Sequence, residues 1–328
     1  MFKGKLLFFL CIVLFVSCKE TKQYYLHQGK IFHTTFHIKY EYNKTLDAEI
    51  DSVLNEFDLS LNPFNDKSVI YKVNNNIPVE VNDWFIKVFN QAQEISQQTN
   101  GAFDITCAPL VNLWGFGFDN SQAPTQAAVD SIKQFVGYDK IRLLGRTVEK
   151  DDSRVMLNAS AIAKGYACDV IAEMFDFYGL DNYMIEIGGE IVAKGVNPNN
   201  VCWKIEITKP EDDNSGQALG RQEVISLCKG GLATSGNYRN YYIKEGKKYS
   251  HTIDPRTAYP TEKNILSVSV ITDECSLSDA YATAFMVLGV EASDSLARKI
   301  EGLSYYIIYG EGGKHLVKQR NMEKYLSY

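Results

Sequence analysis

The sequence predicts an α+β fold: mixed, largely antiparallel sheets with helices packed against them. Two observations carry that expectation. Apolar residues recur at helical spacing in some segments and alternate in others, and many alternating segments pair across short turns as hairpins do. Helices and strands are interspersed without any internal repeat, which disfavours a parallel doubly wound sheet.

Taken in order, "KIFHTTFHIKYEY" alternates as a strand after a polar stretch, "KETKQYYLHQGK". "LDAEIDSVLNEFD" then sets Leu46, Ile50, Val53, Leu54 and Phe57 on one helical face. "SLNPFNDKS" reads as turns. A second helix starts near Asn82, turns Phe85, Val88, Ala92 and Ile95 inward, and stops before Asn100–Gly101. "GAFDITCAPLVNLWGFGF" is irregular yet strongly apolar, and buried irregular backbone often forms a binding loop. A third helix runs from a Thr125 cap to Gly137, followed by a short hairpin. "RVMLNASAIAKGYACDVIAEMFDFYGL" reads as a strand entering a helix through Asn158, Ala159 and Ser160, with Gly179 ending it. "NYMIEIGGEIVAKG" forms two strands around Gly188–Gly189, "CWKIEIT" alternates, and "KPEDDNSGQALG" is a solvated loop. "KEGKK" reads as a hairpin turn. "ILSVSVIT" feeds the helix "SLSDAYATAFMVLG", and "SYYIIYG" with "GKHLVKQ" closes the chain.

The length of 328 residues allows one large domain or two of moderate size, and 45% hydrophobic with 23% charged residues is ordinary globular composition. A net charge of -6 leaves no basic surplus for phosphate contacts, so nucleic acid is excluded as the main partner. At the N-terminus, "MFKGKLLFFLCIVLFVSC" places Lys3 and Lys5 before an apolar run from Leu6 to Val16. That run is short of the roughly 20 residues of a membrane span, and its flanks fit a secretory signal. The Cys after a small residue resembles a bacterial lipoprotein signal. It implies a signal peptide over 1–17, lipidation of Cys18, a tether over 18–30 and a domain over 31–328, anchored by lipid and facing the periplasm. Cys107, Cys168, Cys202, Cys228 and Cys275 remain, an odd number without C-x-x-C spacing, so neither a disulfide framework nor a zinc site is suggested. Buried free thiols are the expectation, with room for one disulfide in an oxidising compartment.

Four stretches combine glycines with reactive side chains. Asp279 and Thr283 are one helical turn apart in an apolar helix, and a buried carboxylate asks for a base or a metal ion. Equally, Asp279 after Ser276 and Ser278 reads as a helix cap. Lys164–Gly165 lies at a helix start, where glycine permits close approach and the helix dipole favours phosphate. The phosphate-loop spacing G-x-x-x-x-G-K-S/T is missing, and a plain packing site fits the pair too. "SHTIDPRTAYP" holds His251, Asp254 and Arg256, although His251 also fits a bonded core histidine and Asp254–Pro255 a simple turn. Asp104 and Thr106 sit among apolar neighbours, and the glycines of "EIGGEI" suit a tight turn.

In order, "GAFDIT…PLVNLWGFG", "AIAKGYACD", "IGGEI", "ATSGNY", "SHTIDPRTAYP" and "SDAYATAFMVLG" strongly resemble the FAD:protein FMN transferase family, ApbE, from about Ile31 to Leu288. The resemblance implies an ApbE-like, T-fold-related architecture and an enzyme that uses FAD and Mg2+. Such an enzyme moves FMN to a threonine hydroxyl of a target protein and releases AMP. It implies Mg2+ held by Asp279, Thr283 and a backbone carbonyl best matched by Ala161. FAD contacts fall on Phe64, Ala102, Phe103, Asp104, Lys164 and Ile253. Phe32 stands where the family has a methionine, and Ala258 where it usually has glycine. Oxygen donors suit a hard ion, which binds few protein ligands together with substrate phosphates. Lys164 is expected to help neutralise the diphosphate, and His251, oriented by Asp254, to serve as base for the incoming hydroxyl. Family acceptors carry a D-G-x-S/T-G-A/S-T motif that this chain lacks, which implies flavinylation in trans. The implied acceptors are subunits of membrane redox complexes, Rnf-type or sodium-pumping NADH:quinone reductase. A Mg2+-dependent FAD pyrophosphatase and a non-enzymatic flavin-binding lipoprotein are the competing expectations.

Overall fold

The computed structural model describes residues 22–116, 124–208, 221–237, 241–244 and 247–326. Its frame is an eight-stranded sheet whose spatial order follows the chain: Gln23–Ile31, Thr34–Tyr42, Tyr183–Ile187, Glu190–Lys194, Lys229–Gly236, Ile265–Thr272, Ser304–Glu311 and Lys314–Arg320. Every neighbouring pair is antiparallel. The helices are α1 (Asp47–Leu61), α2 (Val69–Asn74), α3 (Asp83–Gln98), α4 (Ala108–Leu113), α5 (Gln126–Lys133), α6 (Ala163–Phe177), α7 (Cys275–Leu288) and α8 (Val290–Ala297).

Both faces of the central strands are covered, which explains their nearly continuous apolar sequence. Successive side chains point to opposite faces, so Tyr305 and Ile307 join the large core with α1, α3, α6 and α7. Tyr306 and Ile308 join a second core beneath the paired strands Trp203–Thr208 and Arg221–Leu227. In that pair Trp203, Ile205 and Ile207 point inward, as the alternation of "CWKIEIT" requires. A disulfide between Cys202 and Cys228, with Cα atoms 4.6 Å apart, ties the end of this small sheet. The one disulfide for which the cysteine count leaves room thus falls on these two positions, whereas Cys168 and Cys275 are free and buried.

The helical periodicities hold: Leu46, Ile50, Leu54 and Phe57 are buried along α1, and Phe85, Val88, Ala92 and Ile95 along α3. Asn82 caps α3 by accepting from the Phe85 N–H at 3.0 Å, and Thr125 caps α5 from Ala128 at 3.3 Å. Three local expectations need correction. "KIFHTTFHIKYEY" is not one strand but a hairpin, broken at Phe32 and His33, which take left-handed φ values of 51° and 59°. Its first strand begins at Gln23, so residues 23–30 belong to the sheet and not to a tether. That strand has a partner on only one side and no fully buried residue, so it carries a polar sequence. The stretch before Asn158 is not a strand but a single bridge, Cys107 to Met156, because the Asn74 side chain takes both backbone groups of Leu157. Within "SLNPFNDKS", Ser68 caps the short α2 through the Tyr71 N–H.

Cys18, the loop "KPEDDNSGQALG" and the centre of the "KEGKK" turn lie outside the described residues. Among the described residues no helix is long and apolar enough to cross a membrane.

Candidate active site between the helices and the sheet

Helix α7 is docked by its neighbours rather than capped by its own sequence. Its first N–H groups, from Cys275 and Ser276, donate to the Asp169 carboxylate of α6 at 2.8 and 2.9 Å. Burial lifts Asp169 to about 7 against those two bonds. With the cap supplied by Asp169, Asp279 has a different place: one turn inside α7, 3% exposed, its Oδ2 accepting from the Gly165 N–H at 3.1 Å. The capping alternative for Asp279 is thereby removed. Two glycines make the close docking possible. A Cβ on Gly165 would stand 2.4 Å from the Cys275 carbonyl oxygen, and one on Gly231 equally close to the Cys275 backbone. Gly165 is thus required for helix packing, which the sequence left open beside a phosphate role.

The helices and sheet enclose a cavity of about 960 Å³, at the upper end of the range for small-molecule sites. Asp279, Thr283 and Ala161 line it together, and Thr283 Oγ1 is 3.2 Å from the Ser235 hydroxyl. Phe64, Ala102, Phe103, Asp104, Lys164 and Ile253 line it as well. Phe32 lines a smaller adjoining pocket shared with Phe64 and Lys164, its ring 5.6 Å from that of Phe57. His251 is half-buried on the wall of the main cavity, its ring 6.4 Å from Phe116.

Asp254 pairs with Arg256. Its carboxylate accepts from the Arg256 N–H, Nε and Nη2 at 3.0, 2.9 and 2.8 Å, and it is absent from the cavity wall, where Pro255 stands. It also shapes the turn, with its carbonyl accepting from the Ala258 N–H at 2.8 Å. Ala258 has a φ of 70°, a conformation glycine adopts without strain. Asp104 accepts from the Thr106 N–H and hydroxyl, both at 2.7 Å, and burial still raises it to about 6.

One residue of the site is missing from the sequence reading. Glu190, 4% exposed, lines the cavity and places Oε1 2.5 Å from the Lys164 ammonium. Its Oε2 is buried without a hydrogen-bond partner among the described residues. The signal was present: alternation puts Glu190 on the same face as Val192, which packs in the large core beneath α6 and α7. Burial raises the Glu190 carboxyl against the pull of Lys164, and it raises Asp279 likewise. Burial alone would lower Lys164, but Asp279 and Glu190 outweigh it and keep the ammonium charged.

A hard cation fits these residues. The donors at Asp279 and Thr283 are oxygens, and the buried acids outnumber the base beside them, with one carboxylate oxygen left unpartnered. Among the described residues no group of three or more His, Cys, Asp and Glu gathers, so nothing resembles a zinc centre.

An antiparallel sheet layered with helices, opening onto a cavity of small-molecule size that carries buried oxygen donors, defines the class as an α+β protein with a ligand-sized site. Residues 32–307 match the ApbE family, and the chain belongs to it. It is 35% identical over 297 residues to the FAD:protein FMN transferase of Vibrio cholerae, covering 87% of this chain and 88% of that protein. It is 34% identical over 312 residues to the enzyme of the same name from Haemophilus influenzae, covering 90% and 89%. The solved structure of the flavin transferase ApbE from Vibrio cholerae superposes with a TM-score of 0.83 at 31% identity, over 93% of this chain and 99% of that one. The α+β architecture is therefore shared with solved flavin transferases.

Proposed function

We propose that this chain transfers FMN from FAD to a threonine hydroxyl of an acceptor protein in a Mg2+-dependent reaction that releases AMP. The observation that carries this reading is the single cavity that gathers Asp279, Thr283, Lys164 and His251 in a member of the ApbE family. In the reaction the threonine oxygen bonds to the phosphorus of the FMN half, and the P–O bond to the AMP half breaks. Bound Mg2+ supplies neutralisation of the phosphate charge. Asp279 and Thr283 are the side chains that would hold it. His251 accepts the hydroxyl proton at a ring nitrogen, and Phe64, Phe103 and Ile253 exclude water from the flavin half.

The acceptor is a protein bearing the D-G-x-S/T-G-A/S-T motif, such as a subunit of an Rnf-type or sodium-pumping NADH:quinone reductase complex. Lipidation of Cys18 would tether the domain to a membrane, facing the periplasm beside such subunits. The Cys202–Cys228 disulfide supports an oxidising compartment. Chromatography of the products of FAD, Mg2+ and a motif-bearing peptide tests the reaction. Flavinyl-peptide with stoichiometric AMP is expected; free FMN and AMP with unlabelled peptide would assign FAD hydrolysis instead, and intact FAD a binding protein.

A further inference from the structure

Lys164 was expected to attract the dinucleotide phosphates, but its charge is already spent. Glu190 Oε1 lies 2.5 Å from its ammonium, and the Asp279 carboxylate attracts it as well. Around the whole wall, the side chains among the described residues that can carry charge near neutral pH are Asp104, Glu190, Glu206 and Asp279 against Lys164 and His251, burial keeping the Cys107 thiol neutral. Glu206 is exposed, whereas the other three acids are buried. A diphosphate entering this cavity alone would bring negative charge toward a wall with acid in surplus, where low dielectric makes repulsion strong. The unpartnered Glu190 Oε2 marks the same surplus, since a buried carboxylate oxygen is normally satisfied.

We propose that Glu190 makes dinucleotide binding conditional on a divalent cation: it cancels the charge of Lys164, so that the cavity admits the phosphates only with the cation beside them. Glu190 is thus a positioning residue that acts through Lys164 and sets the coupling between the two ligands. Such coupling is reciprocal, so FAD also raises the affinity for the cation by the same factor. The inference rests on the proposed FAD and Mg2+ reading of the site.

The test is equilibrium binding of FAD to the full chain, read by flavin fluorescence at early times, with Mg2+ or with chelator. Alkaline conditions favour the ionised form of all three buried acids. Wild type should bind FAD roughly tenfold or more tightly with Mg2+, within the ordinary range of coupled ligands. In chelator, added KCl should raise its affinity, because salt screens a net repulsion. Glu190→Gln should bind FAD several-fold more tightly than wild type in chelator and show a smaller Mg2+ effect. The salt response needs no variant, so it decides the matter even if Glu190→Gln does not fold. Binding that is indifferent to Mg2+ and weakened by KCl would overturn the inference and leave the FAD reading standing. No FAD binding under any condition would overturn both.

Discussion

Gly165→Ala sets two well-known effects against each other. In an ordinary helix interior the change stabilises by about 1 kcal/mol, because alanine loses less backbone entropy. Here the added Cβ would stand 2.4 Å from the Cys275 carbonyl oxygen and 2.9 Å from Asp279 Cβ. The first neighbour is backbone, fixed in place by the Asp169 carboxylate, so it has no rotamer by which to yield. Overpacking of this kind costs about 1–3 kcal/mol, more when backbone must move. The net expectation is a loss of about 0–2 kcal/mol, at the upper end because the neighbour that must move is backbone. α6 and α7 separate, and the 3.1 Å bond from Gly165 N–H to Asp279 stretches. Urea unfolding followed by far-UV circular dichroism measures the first effect, and Mg2+-dependent FAD affinity the second. A Gly165→Ala protein as stable as wild type, with unchanged FAD affinity, would refute the claim that this contact positions Asp279.

Further outcomes follow from the same geometry. Asp104 has a folded-state pKa of about 6 against an ordinary 3.8, so its contribution to stability is full below pH 3.8 and is lost as pH rises through about 6. The loss is about 3 kcal/mol as an order of magnitude, and a thermal-unfolding series across that window should show it shrink in Asp104→Asn. The Cys202–Cys228 bond closes a separation of 26 residues, worth about 3.5 kcal/mol in the chain-entropy treatment. Cys202→Ser should lose stability of that order by urea titration, while a loss below a few tenths would mean the small sheet is held by its apolar core alone. His251→Ala should lower the turnover number by about 10²–10⁴ with a much smaller change in FAD affinity. Equal losses in both, by steady-state kinetics and binding, would recast His251 as a binding residue.

What the sequence made legible was what local spacing encodes. α1 and α3 declare their buried faces at helical spacing, and "CWKIEIT" does so by alternation. The Gly188–Gly189 turn is equally plain, with φ values of 64° and 103° that glycine tolerates. The Phe32–His33 turn was hidden because both residues take left-handed backbone without the glycine or asparagine that usually advertises it. The edge strand Gln23–Ile31 looked like a tether because a strand with one neighbour needs little apolar sequence. At the site, the motifs brought Asp279, Thr283, Lys164 and His251 to one cavity. The interactions that give those residues their character are long-range. Asp169 caps a helix 106 residues further on, and Glu190 reaches Lys164 from a strand. Asp254 has a short-range partner that its own segment supplies, since Arg256 two residues later donates to its carboxylate.

The central claim is that the cavity bearing Asp279 moves FMN onto a protein. Intact mass spectrometry tests it most directly, on an acceptor domain carrying the threonine motif, incubated with this chain, FAD and Mg2+. The account predicts the added mass of one FMN on the motif threonine, abolished by chelator and by Asp279→Ala. An acceptor that stays unmodified with wild type, or is labelled equally well by the Asp279→Ala protein, would contradict it.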